Sequence, residues 1–189
     1  EVLQFINDKA NEWKAKYNID FSVYGTPLES TTYRFAKALK RRFGEVEGIT
    51  DKDYITNSYH INVKEPIDAF SKLSKESVFQ DLTPGGAISY VELPDMSKNL
   101  EAVMQILKHM YNNTMYADIN VAADMFLECG YEGEMPFDEY KNWYCPNCGN
   151  KKRKRLQITR RVCGYIGSNP TNKGRTQDIQ ERVKHLGAY

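Results

Sequence analysis

Cysteine is scarce in this chain: four among 189 residues, too few for the disulfide framework of a small secreted domain. Long apolar runs are missing as well. No stretch approaches the roughly 20 residues that cross a bilayer, which excludes a helical membrane protein. The opening residues, EVLQFINDKANEWK, lack the charged, apolar and small-residue regions of a signal peptide. There are no internal repeats and no low-complexity tracts, and the 41% hydrophobic content excludes a disordered tail or a collagen-like chain. Net charge is also nearly absent, at +1.

That small sum hides an asymmetry. Residues 151–189 hold 11 Lys/Arg against 2 Asp/Glu, a charge of +9, leaving 15 against 23, or −8, for residues 1–150. A basic end on an acidic body points to an anionic partner or to docking on an acidic surface. The size suits one globular domain with a small appendage.

What is present reads as alternating strands and helices. The first residues suit a helix entered midway, with Ile6, Ala10, Trp13 and Tyr17 on one face, so the chain is expected to begin inside a larger protein. Ile19–Tyr24 reads as a short buried strand. It runs into Gly25-Thr26-Pro27-Leu28-Glu29-Ser30-Thr31, where Thr26 suits an N-cap, Pro27 the first helical position and Glu29 a capping box. Phe35, Leu39 and Phe43 continue the helix to Gly44. A second strand is predicted over Tyr54–Val63, where Tyr59, Ile61 and Val63 alternate with His60 and Asn62. A helix follows Pro66 (Ile67, Phe70, Leu73), then a strand over Ala87–Leu93. The longest helix is predicted over Ser97–Tyr111, with Leu100, Val103, Met104, Leu107 and Met110 inward, and a strand over Tyr116–Asn120 closes the region. This order predicts an α/β fold with a mostly parallel sheet, or part of a barrel. Composition changes near residue 122.

Two motifs beyond that boundary carry chemistry. In Cys145-Pro-Asn-Cys148-Gly149, two thiolates on a tight turn can reach one tetrahedral metal ion. A second pair is incomplete: Cys129-Gly130 has Phe126, not cysteine, three residues before it. The site is therefore either a metal site of Cys129, Cys145 and Cys148 that is one ligand short, or a degenerate knuckle without metal. Cys163 is a possible fourth ligand. The second motif is Arg161-Val162-Cys163-Gly164-Tyr165. A glycine there suits a tight turn, and it also suits a Cα radical, because a planar Cα is unobstructed only where no Cβ exists. Asn57, Ser58 and His60 lie on the predicted second strand, and His60 reads as a structural group. Tyr33 and Tyr59 read as core.

Taken in order, YGTPLESTTYRFAKALKRRFG, ITNSYHINV, LTPGGAISYVELPD, CPNCGN, TRRVCGYIG and GRTQDIQERVKHLG closely resemble the C-terminal part of anaerobic (class III) ribonucleoside-triphosphate reductases, over essentially all 189 residues. The resemblance implies that residues 1–122 are the last part of a ten-stranded α/β barrel of the glycyl radical type. Residues 123–156 would be a small zinc ribbon and residues 157–189 the radical loop and tail. It implies a radical at Gly164, installed by an activase that uses S-adenosylmethionine and an iron–sulfur cluster. It implies Zn2+ at the cysteines, and reduction of ribonucleoside triphosphates to deoxyribonucleoside triphosphates with formate as reductant. The cysteine on the barrel's finger loop and the ATP-binding cone would lie outside these residues. Substrate phosphates would meet Gly25, Thr26, Glu29, Ser30 and Thr31, where the amides of a helix N-terminus form an anion site. Glu29 would repel phosphate and so would face the ribose or its reductant. The whole enzyme would be a cytoplasmic homodimer serving DNA replication, with no membrane or nucleic-acid partner. The alternatives are a zinc-ribbon nucleic-acid module, suggested by Lys151–Arg155, and a stand-alone glycyl radical spare part.

Overall fold

The computed structural model describes residues 1–26, 31–56, 58–161, 166–170 and 172–186. Helices α1 (Val2–Tyr17), α2 (Thr31–Phe43) and α3 (Ala69–Gln80) precede strand β1 (Ser89–Leu93). Helix α4 (Leu100–Asn113) leads to β2 (Ala117–Val121), then to the short strands β3 (Asp124–Phe126) and β4 (Tyr131–Gly133). A 3-10 turn at Arg153–Arg155 precedes β5 (Leu156–Gln157), β6 (Thr159–Arg161), β7 (Ile166–Ser168) and helix α5 (Lys173–Glu181).

β1 and β2 are parallel, with Ser89 opposite Ala117 and Leu93 opposite Val121, and α4 makes the crossover. Their core is Ala69 and Leu73 from α3, Val91 and Leu93 from β1, and Ile106 and Met110 from α4. Asp68 starts α3 by accepting from the Ser71 amide at 2.9 Å. A second core gathers Phe126, Met135, Trp143, Cys145, Leu156, Ile158 and Ile179, so α5 packs with the segments around β3 and β5. There β3 pairs antiparallel with both β4 and β5.

Three expectations need correction. Tyr54–Val63 is not a strand among the described residues; it runs through turns, with Ser58 at φ 46°. Its backbone groups find other partners: the Ile61 amide donates to the Glu76 carboxylate (2.9 Å), and the Val63 carbonyl accepts from Val183 (2.9 Å). Ile19–Tyr24 is not a strand either. Its Val23 carbonyl accepts from the Gly85 amide (2.8 Å), and the following Gly25 amide donates to Gly86 O (2.9 Å). Finally, α4 is shorter than α1 and turns a different face inward. Ile106 and Met110 are buried, whereas Leu100 (66% exposed), Met104 (63%) and Leu107 are not. Helix α4 has two apolar stripes, and the one beginning at Val103 meets the sheet. Along α1, Ile6, Trp13 and Tyr17 are likewise exposed. Among the described residues β1–β2 is the only parallel pair, and the remaining strand pairs are antiparallel.

Candidate functional site

The cysteines sit on two matching turns. After β3 the chain turns at Phe126-Leu-Glu-Cys129-Gly130, where the Gly130 amide donates to Phe126 O (3.0 Å). The second turn, Cys145-Pro-Asn-Cys148-Gly149, has the Gly149 amide donating to Cys145 O (2.8 Å). Both glycines are left-handed, with φ of 68° and 70°, a conformation that a Cβ would strain. The turns bring Cys129, Cys145 and Cys148 together, with all three Sγ atoms within 4.8 Å of one another and Cys129 Sγ to Cys145 Sγ at 3.5 Å.

Cys145 is buried, and Cys129 and Cys148 are exposed. At Cys129, desolvation works against ionisation, but hydrogen bonds from the Asn147 side chain and the Tyr131 amide outweigh it and lower the thiol pKa. At Cys148 the Asn150 amide favours the thiolate, yet desolvation and the adjoining Cys145 and Cys129 sulfurs raise the pKa. Such amide support suits thiolates that bind a cation. Three soft donors of this spacing fit a thiophilic ion such as zinc at three of its four positions. Phe126 supplies no fourth donor; its side chain is fully buried in the second core.

The adjoining basic run is largely engaged within the chain. Lys151 pairs with Asp138 (2.8 Å), Lys152 and Arg155 approach Glu128 (3.4 and 3.6 Å), and Arg153 donates to Asn169 (2.9 Å). The hydrogen bond from Lys151, aided by the Asn142 amide, pulls the Asp138 carboxyl down to about 2.

The predicted radical residue, Gly164, lies outside the described residues, as do Cys163, Glu29 and Ser30. Its flanks are described. β6 and β7 pair antiparallel as the two arms of a hairpin, with Arg161 opposite Ile166. Two consecutive arginines hold the first flank. Arg160, buried, pairs with Asp124 and lies over the Trp143 ring at 5.6 Å. Asp124 also accepts from the Thr159 and Met135 amides, both at 2.8 Å, and its burial pushes the carboxyl pKa up against Arg160's pull. Arg161 pairs with Asp118 (2.7 Å), and its amide donates to Asn120 Oδ1 (3.1 Å). Asn120 in turn donates to Glu92. Glu92 pairs with Arg182 (2.9 Å), which also holds Asp178 (2.7 Å) and the Arg161 carbonyl (2.9 Å). The C-terminal ends of β1 and β2 are thus tied through Glu92 and Asn120 to the base of the hairpin.

Sequence reasoning missed this clamp. No sequence pattern singled out Asp118, Asp124, Glu92 or Arg182. The available signal was Arg160-Arg161 within a strand-forming stretch, since neighbouring strand residues face opposite sides and both would need partners.

Of the predicted phosphate loop, Gly25, Thr26 and Thr31 are among the described residues. Gly25 is buried close to the Ala87, Tyr59 and Ser58 side chains, Thr26 is exposed and Thr31 half-buried. His60 is structural: Nε2–H donates to Ile88 O at 2.6 Å, and burial lowers its pKa. No helix among the described residues is long and apolar enough to cross a membrane.

Solved structures share this fold. The fold matches an anaerobic ribonucleotide reductase with a TM-score of 0.71 at 19% identity, covering 99% of this chain and 28% of that one. A Thermotoga maritima anaerobic ribonucleotide reductase in complex with dATP and CTP matches with a TM-score of 0.62 at 19% identity, over 96% and 26% of the two chains. The family model for anaerobic ribonucleoside-triphosphate reductase matches residues 1–185, and the chain belongs to that family. It is 36% identical over 188 residues to the Haemophilus influenzae anaerobic ribonucleoside-triphosphate reductase and 37% identical over 189 residues to that of Enterobacteria phage T4. It covers 26% and 31% of their respective lengths.

Proposed function

We propose that this chain is the radical-bearing C-terminal part of an anaerobic ribonucleoside-triphosphate reductase, with the radical stored on Gly164. The observation that carries this reading is the clamped hairpin base. Arg160 and Arg161 are fixed by Asp124, Asp118 and Asn120 immediately before residues 162–165, and Ile166 resumes pairing immediately after them. A radical-bearing segment must be presented at one place, and two buried arginines supply that anchorage.

A Cα radical on Gly164 would store one unpaired electron and take the thiol hydrogen atom of a cysteine outside these residues, and the resulting thiyl would take the 3′ hydrogen of a ribonucleoside triphosphate. The residues present here position. The clamp sets where the chain leaves the sheet. The cysteine turns, with Zn2+ on Cys129, Cys145 and Cys148, brace the second core beside it. Gly25, Thr26 and Thr31, with Glu29 and Ser30, would meet the substrate's phosphates and ribose. Formate is the reductant, a radical S-adenosylmethionine enzyme the activase, and the whole enzyme a cytoplasmic homodimer built on a ten-stranded barrel. The nucleic-acid reading loses ground because Lys151, Lys152, Arg153 and Arg155 have partners within the chain.

Anaerobic activation of the reductase should produce an electron paramagnetic resonance doublet. The doublet should vanish in Gly164→Ala and persist in Gly167→Ala. A signal that survives Gly164→Ala and is lost in Gly167→Ala would place the radical elsewhere.

A further inference from the structure

We infer that the three-cysteine centre is an open metal site, in which the protein supplies three thiolates and a small exchangeable ligand from solvent completes the coordination. This ligand would be water at rest and a small thiol when one is offered. The inference rests on the metal-binding reading above and goes beyond it.

The two turns make the case. They share one hydrogen-bond pattern and one glycine conformation, so Phe126 occupies on the first turn the place that Cys145 occupies on the second. Both residues are fully buried, but only one ends in sulfur. The Phe126 side chain packs with Met135, Trp143, Leu156 and Ile158 in the second core, so the residue is spent on packing. Among the described residues, no histidine, carboxylate or further cysteine joins the three sulfurs. The carboxylate next in sequence, Glu128, is engaged elsewhere: Oε2 accepts from Asn150 (3.0 Å), and Oε1 approaches Lys152 and Arg155. Two of the three cysteines are exposed residues, which puts the centre at the protein surface on their side. Three protein ligands and one solvent ligand is the arrangement of a zinc site that keeps a position free, whereas purely structural sites close all four.

The test is cobalt(II) substitution in the reductase, read by its d–d and sulfur-to-cobalt absorption while 2-mercaptoethanol is titrated in. The expected result is a shift of the ligand-field bands with a gain in charge-transfer intensity in the unmodified protein, and no response in Phe126→Cys. Zinc should also leave the unmodified protein for a chelator at least about tenfold faster than it leaves Phe126→Cys, since losing even an outer-shell partner costs that much. Should Phe126→Cys fail to fold for want of its aromatic core residue, the thiol titration of the unmodified protein decides alone. Cobalt bands that ignore the thiol in the unmodified protein would overturn the inference while leaving the metal reading intact. A response that appears only in Cys163→Ser would also overturn it, by naming Cys163 as the fourth ligand. Failure to bind cobalt or zinc at all would overturn both.

Discussion

Replacing Arg182 with methionine tests the clamp beneath the hairpin. The guanidinium is buried and makes three charge-assisted contacts, to Glu92 (2.9 Å), Asp178 (2.7 Å) and the Arg161 carbonyl (2.9 Å). Burial opposes its charge, but Asp178 and Glu92 hold its pKa above the usual arginine value, so it stays charged at any working pH. Methionine fills similar volume and removes every contact. Asp178 is partly exposed and can hydrate, but Glu92 is 5% exposed and, among the described residues, its carboxylate keeps only Asn120. Breaking one side of a buried ion pair costs about 3–5 kcal/mol, chiefly through the charge left behind. With a urea m-value near 2 kcal/mol/M, the unfolding midpoint should fall by about 2 M. The double variant Arg182→Met/Glu92→Gln, which no longer buries an unpaired charge, should recover about half of the loss. Circular dichroism in a urea series provides the assay, and limited proteolysis should show faster cleavage near residues 162–165 in the single variant. A loss below about 1 kcal/mol, or no recovery in the double variant, would refute the buried-charge reasoning.

The remaining expectations are simpler. His185 Nδ1 accepts from the Glu92 amide at 2.7 Å, and burial, reinforced by Lys72, Lys184 and Arg182 against Glu76, lowers its pKa to about 4. It is therefore neutral when folded, its contribution is intact above about 6.5, and stability falls by up to about 3 kcal/mol as pH drops from 6.5 towards 4. His185→Asn, which keeps an acceptor, should flatten that dependence relative to the unmodified protein in unfolding curves at pH 7 and 5, with the His60 contribution common to both. Leu73→Ala, at a fully buried position between α3 and the sheet, should cost about 2–5 kcal/mol in the same assay. Gly174→Ala would drive a methyl group into the Asp53 carbonyl, so it should destabilise the packing of α5 against the α2 side, measurable as a lower melting temperature.

The legible parts of the fold were those whose pattern is local. The helix after Pro66 with Leu73 buried, and the strands ending at Leu93 and near Asn120, lie where their pattern puts them, although Ile67 precedes α3 and Phe70 is exposed. The alternation at Tyr59, Ile61 and Val63 misled because period two reports side-chain facing, not backbone pairing. Here those amides and carbonyls go to Glu76 and to the tail. Helix α4 misled because two apolar stripes compete, and only contact with β1 and β2 chooses Ile106 over Leu107. At the candidate site the cysteine spacing was legible, since two turns fix it locally. The clamp was not, because Glu92 and Arg182 lie 90 positions apart and each looks like a surface charge alone.

The most direct measurement concerns the bond at Gly164. Activated reductase exposed to oxygen should be cut there, and mass spectrometry should find the break at residue 164, with no cleavage in Gly164→Ala and none without activation. Cleavage at another position, or equal cleavage in Gly164→Ala, would contradict the assignment of the radical to this residue.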